Sequence, residues 1–143
     1  YFPRQIWFSG LGHLGQASIW LIGLYKDFSE SGIKCILQDD DVVDESNLYT
    51  QVLSNQKDVD KPKTRVCASY LEQRGIQTRI LEKRMTINEY KDCEELDIPV
   101  LVNGYDNVGA RRMIQPSAFD LIIDSGVGSS LDLFDSITQY AFP

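Results

Sequence analysis

Short apolar runs alternate with amphipathic and polar stretches along the chain, and their spacing predicts strands alternating with helices. The first run, Ile6-Trp7-Phe8, breaks into Ser9-Gly10-Leu11-Gly12-His13-Leu14-Gly15 and reads as a strand feeding a glycine turn. Leu14, Ala17, Trp20, Leu21 and Leu24 then recur at helical spacing, which predicts a helix to about Lys26. Residues 27–32 read as a polar loop and residues 33–38 as a second strand, which ends in Asp39-Asp40-Asp41. Residues 42–51 break the pattern, because Asp-Glu-Ser-Asn-Leu-Tyr-Thr-Gln stands where a crossover would start a plain amphipathic helix. Residues 53–63 read as a long polar loop. Pro62 can open a helix at its first turn, Val66, Tyr70 and Leu71 give that helix an apolar stripe, and Gly75 ends it. Downstream the pattern predicts strands over 77–82, 99–103, 121–124 and 137–142. A weak helix is expected over 87–96, and a second, capped by Asn107, through Arg112 and Ile114.

Strands of this kind, some apolar throughout, predict one α/β domain with a mostly parallel sheet and helices on both faces. Ligands of such sheets bind beyond the carboxyl ends of the strands. Residues 10–15, 39–41, Asp106 and 125–128 all fall at those ends, so the chemistry is expected along one edge. Gly10-x-Gly12-x-x-Gly15, between a strand and a helix, suits a phosphate cradle: a tight turn, close backbone approach and close helix packing. The free N–H groups at the start of that helix favour an anion. The same spacing also suits a plain strand–helix turn. Asp39 falls about twenty residues past Gly15, where a dinucleotide fold keeps a carboxylate for ribose hydroxyls. A solvated strand end is the alternative.

Composition acts by exclusion. The 143 residues hold 43% hydrophobic and 24% charged side chains, ordinary for a globular domain large enough to bury a core. The net charge of -7, with a pI near 4.6, argues against nucleic-acid or anionic-membrane partners. Cys35, Cys67 and Cys93 form no Cys-x-x-Cys, so neither a zinc site nor a disulfide framework is indicated. Buried thiols in a reducing, cytoplasmic compartment are expected instead. No signal peptide and no membrane-spanning run is evident. The abrupt ends suggest the core of something larger.

Taken together, Gly10-Leu11-Gly12-His13-Leu14-Gly15, the run Asp39-Asp40-Asp41-Val42-Val43-Asp44-Glu45-Ser46-Asn47-Leu48-Tyr49-Thr50-Gln51, Lys63 and Asp106-Asn107 resemble the family of ThiF, MoeB and the ubiquitin-activating enzymes. The resemblance covers nearly the whole chain and implies a Rossmann-like, ThiF-type nucleotide-binding domain. It implies adenylation by Mg-ATP of the C-terminal glycine of a ubiquitin-like or sulfur-carrier protein, with release of pyrophosphate, by a homodimer. The cofactor-binding set it implies is Gly10, Gly12, His13, Gly15, Asp39, Asp41, Ser46, Asn47, Lys63, Asp106 and Asn107. Within that set Asp39 would hold the ribose, Asp41 would support it, and Asn47 and Gln51 would contact phosphates. Lys63 would neutralise the triphosphate and Asp106 would bind magnesium; Asp106, Lys63 and Gln51 would carry catalysis. Judged without the resemblance, Lys63 reads as a solvated loop cation and Asp106 as a helix cap.

Two positions depart from the family pattern. Thr50 stands where the family usually has Arg, and His13 stands where it has a third glycine. His13, Arg111 or Arg112 is a candidate to replace the missing cation. Cys93 lies in the wrong segment for a thioester-forming cysteine and reads as structural. Two other functions remain open at this point. One is a non-catalytic partner subunit of the same fold, which Thr50 and His13 favour. The other is an NAD-dependent oxidoreductase, which leaves Ser46-Asn47-Leu48, Lys63 and Asp106-Asn107 without a role.

Overall fold

The computed structural model describes residues 3–84, 100–106, 119, 121–127 and 137–142. In chain order the elements are β1 (Gln5–Ser9), α1 (His13–Leu24), α2 (Lys26–Glu30), β2 (Lys34–Gln38), two 3-10 turns (Glu45–Tyr49 and Gln56–Asp58), α3 (Lys63–Glu72), β3 (Gln77–Leu81), β4 (Val100–Asn103), β5 (Leu121–Val127) and β6 (Ile137–Phe142). The strands form one sheet in the order β3-β2-β1-β4-β5-β6. The first five run parallel and β6 pairs antiparallel with β5. The chain leaves β1 toward β2 and β3, then returns to the other side of β1 as β4. The gap between β1 and β4 is therefore the point where the strand order reverses, the usual ligand crevice of an open α/β sheet.

Strand alternation divides the core. Ile6, Phe8, Cys35, Leu37 and Val100 share a face with Ile19 of α1 and Cys67, Ala68 and Leu71 of α3. Register makes this consistent, because Ile6 lies beside Cys35 and Val100, and Phe8 beside Leu37. Trp7, Ile36 and Leu101 point to the other face, against Tyr105, Phe119 and Ile122. Phe119 meets Trp7 edge-on, with ring centroids 5.7 Å apart. The helices expected over 87–96 and from Asn107 to Ile114 lie outside the described residues, as does Cys93.

Several expectations shift. Residues 27–32 are not simply a loop, since Lys26–Glu30 forms a short helix after a break at Tyr25. Within α1 the buried residues are Gly15, Gln16 and Ile19. Trp20, Leu21 and Leu24, which defined the helical pattern, are 38–57% exposed. The loop over 53–63 holds a 3-10 turn, and Lys63 is the first residue of α3 rather than part of that loop. Residues 125–127 continue β5 instead of leaving it, because β6 pairs along them. Cys35 and Cys67 are free, buried thiols, and burial pushes the Cys35 pKa up to about 12. No described helix is long and apolar enough to cross a membrane.

Candidate functional site

The glycine turn is built by close backbone approach. Gly10 adopts φ +78°, a left-handed conformation costly for other residues, and a Cβ there would sit 2.7 Å from the Tyr105 nitrogen. A Cβ on Gly15 or on Gly104 would overlap the Gly10 carbonyl oxygen. The turn after β1, the first turn of α1 and the residue after β4 are thus pressed together at the switch point. Gly12 differs, for among the described residues nothing lies within 4 Å of a Cβ built there. It caps α1 without a side-chain hydrogen bond, so no cap side chain covers the start of the helix. His13, the first residue of α1, is exposed beside it.

Asp39, at the end of β2, locks this turn. One carboxylate oxygen accepts the Leu11 N–H at 2.5 Å and the other accepts the Asp41 N–H at 2.8 Å. The residue is only 5% exposed. Burial raises its pKa, while the Leu11 and Asp41 N–H groups and Lys63 pull the other way. Asp39 is thus a structural latch, and any ribose hydroxyl would have to share its remaining lone pairs.

Lys63 reaches the same edge through a small antiparallel bridge. Val42 pairs with Pro62, the Val43 N–H donates to the Lys61 carbonyl, and the Lys63 N–H donates to the Asp41 carbonyl. This draws the start of α3 to the end of β2. Lys63 Nζ then lies 2.8 Å from Asp41 Oδ2, with its side chain 9% exposed. The reading of a solvated loop lysine does not hold. Beside it, the Thr64 hydroxyl is buried and has no hydrogen-bond partner among the described residues.

Oxygens of Asp39, Asp40 and Asp41 come within 4.8 Å of one another, a spacing that could suit a metal ion. Each carboxylate already has donors, however: the two backbone N–H groups for Asp39, Arg84 for Asp40 at 2.8 Å, and Lys63 for Asp41. A cation would have to displace those partners. Asp106 is exposed, three residues past β4, and suits magnesium better, since that ion takes one or two carboxylates plus phosphate oxygens. From the strand spacing, Asp39 and Asp106 follow strands about 10 Å apart across β1.

The Ser46-Asn47 segment is a capping box. Asp44 accepts from the Ser46 N–H and hydroxyl, and Asn47 Oδ1 accepts from the Asp44 N–H at 3.1 Å. Hydrogen bonds to Ser46 hold the exposed Asp44 carboxyl below its ordinary pKa. Gln51 is 5% exposed, its oxygen accepting from Gln16 and Ser54. Thr50 is exposed and donates to the Asn47 carbonyl. Asn107, Arg111 and Arg112 lie outside the described residues. Sequence reading missed Gln16, Gly104 and Arg84. Only Gly104, one residue past an apolar strand, carried a local signal.

The family model for the BilD C-terminal domain matches residues 2–143. The chain belongs to this family. The bacterial E1-like protein BilD of Collimonas sp. (strain OK412) is 34% identical over 143 residues, covering all of this chain and 31% of that protein. The sulfur carrier protein ThiS adenylyltransferase of Escherichia coli (strain K12) is 33% identical over 132 residues, covering 87% of this chain and 49% of that protein. The crystal structure of E. coli MccB with ATP superimposes with a TM-score of 0.60 at 27% identity, over 86% of this chain and 37% of that one. The chain therefore spans less than half the length of these relatives. Membership agrees with the resemblance to ThiF, MoeB and the ubiquitin-activating enzymes, and with the α/β sheet described above.

Proposed function

We propose that this chain is the ATP-binding part of an adenylyltransferase that activates the C-terminal carboxylate of a ubiquitin-like or sulfur-carrier protein. A carboxylate oxygen would attack the α-phosphorus of ATP, and the bond to the bridging oxygen would break, releasing pyrophosphate and leaving an acyl-adenylate. The observation that carries this reading is Lys63, a lysine drawn out of solvent to the sheet edge and held by Asp41. Such transfer depends mainly on positioning and charge stabilisation, and a fixed cation supplies both. ATP in the MccB structure and the adenylyltransferase relatives support the choice of nucleotide.

Within this reading the Gly12 opening and the first turn of α1 receive phosphates, and Lys63 neutralises them. Gln51 and Asn47 donate to phosphate oxygens, with Ser46 holding the cap beneath them and Asn107 beside Asp106. Asp39 and Asp41 border the ribose. Magnesium, held by Asp106, would offset charge on the triphosphate. His13, exposed at the start of α1, would supply a cation in place of the Arg absent at Thr50. A cytoplasmic homodimer completes the proposal.

Thr50 and His13 also favour a second reading, an inactive partner subunit of the same fold. Calorimetric titration of the full-length protein with Mg-ATP and with NAD, repeated on Asp106→Ala, separates the possibilities. Mg-ATP binding that weakens in the variant, with no NAD binding, supports adenylation. Absence of ATP binding favours the inactive subunit, and NAD binding alone rejects both.

A further inference from the structure

We propose that Gln16 is a positioning residue that fixes which end of the Gln51 amide meets the nucleotide. This rests on the role given to Gln51 above. Gln16 is fully buried in α1, directly after Gly15. Its Nε2 donates to the Leu11 carbonyl at 3.2 Å, and its Oε1 accepts the Leu53 N–H at 3.1 Å. A carbonyl can only accept and an N–H can only donate, so the backbone at both ends dictates the orientation of the Gln16 amide.

That polarity passes to Gln51. Gln16 Nε2 lies 2.8 Å from Gln51 Oε1, and the reversed Gln51 amide would set two NH2 groups against each other. The Ser54 hydroxyl lies 2.9 Å from the same Gln51 oxygen and within hydrogen-bond distance of both polar atoms of Gln16. The Gln51 oxygen is therefore turned inward and occupied, and the only end the amide can offer a ligand is its NH2. An NH2 group suits a phosphate oxygen, whereas an outward carbonyl would repel one. The glycine turn, through Leu11, and the segment after Thr50, through Leu53, are joined by this one amide. Gln16 touches no reacting atom and acts through Gln51.

The test uses the full-length protein and compares Mg-ATP with adenosine, which lacks phosphates. Gln16→Met keeps the length and removes both polar atoms, freeing Gln51 to rotate. The expected result is about a tenfold loss of Mg-ATP affinity with adenosine affinity unchanged. Gln51→Ala should show a similar loss, and Gln16→Met/Gln51→Ala no more than Gln51→Ala alone. Ser54→Ala, at a half-buried position, should give a smaller loss of the same selectivity, and it decides the matter should Gln16→Met not fold. Losses that add in the double variant, or that fall equally on adenosine, overturn the positioning role and leave adenylation standing. A parent protein that binds no Mg-ATP overturns both.

Discussion

Lys63 shows how a residue acquires a role from its surroundings. As a lysine in a polar stretch its default is a solvated surface, yet the bridge between Val42 and Pro62 brings it 2.8 Å from Asp41 with almost no exposure. Lys63→Ala is expected to lower the rate of adenylate formation about a hundredfold or more, the range for losing a fixed charge-stabilising donor. Asp39 makes a separate expectation about stability. Its folded pKa is raised, so between its ordinary value and the raised one the folded chain keeps a proton that the unfolded chain has lost. Its contribution to stability is thus full below the ordinary carboxylate range and declines as pH rises through the raised value. Urea unfolding from pH 3 upward should show that decline in the parent and not in Asp39→Asn. The amide can accept only one of the two N–H groups that Asp39 satisfies, so Asp39→Asn is also expected to be less stable at neutral pH by about 1–3 kcal/mol. Thr64→Val should do the opposite, gaining about 1 kcal/mol by removing a buried hydroxyl without a described partner.

At the scale of elements, the turn between β1 and α1 separates two functions of glycine. Gly15→Ala drives a methyl group into the Gly10 carbonyl and is expected to cost about 3 kcal/mol in urea unfolding. Gly12→Ala meets no described residue within 4 Å, so its stability should stay within about 1 kcal/mol of the parent while Mg-ATP affinity falls. The order of strand, glycine turn and helix was legible from sequence because glycine spacing and apolar runs are local signals. The face of α1 that is buried was not. Gly15 gives the helix a close approach to the turn, and Gln16 replaces an apolar contact with hydrogen bonds to Leu11, Gln51, Leu53 and Ser54. Neither feature registers in a hydrophobic pattern, whereas exposed Trp20, Leu21 and Leu24 do. The helix at Lys26–Glu30 was missed for a related reason: five residues with a single apolar side chain, Phe28, have too little periodicity to detect.

Across the molecule, the strand order places its reversal between β1 and β4, and Gly10, Gly15 and Gly104 converge there. The sheet was readable from alternation, while the Asp41–Lys63 and Asp40–Arg84 pairs span 22 and 44 residues and depend on the finished topology. Thr50 and His13 set the sharpest question, since the first stands where the family pattern has an Arg and the second where it has a glycine. The most direct measurement is magnesium-dependent exchange of pyrophosphate into ATP by the full-length protein with the proposed carrier protein, in parent and Lys63→Ala. Exchange in the parent, lost in Lys63→Ala without loss of folding, is the result expected of an adenylation site organised around Lys63. A folded parent that binds the proposed carrier and Mg-ATP yet exchanges no pyrophosphate would contradict it.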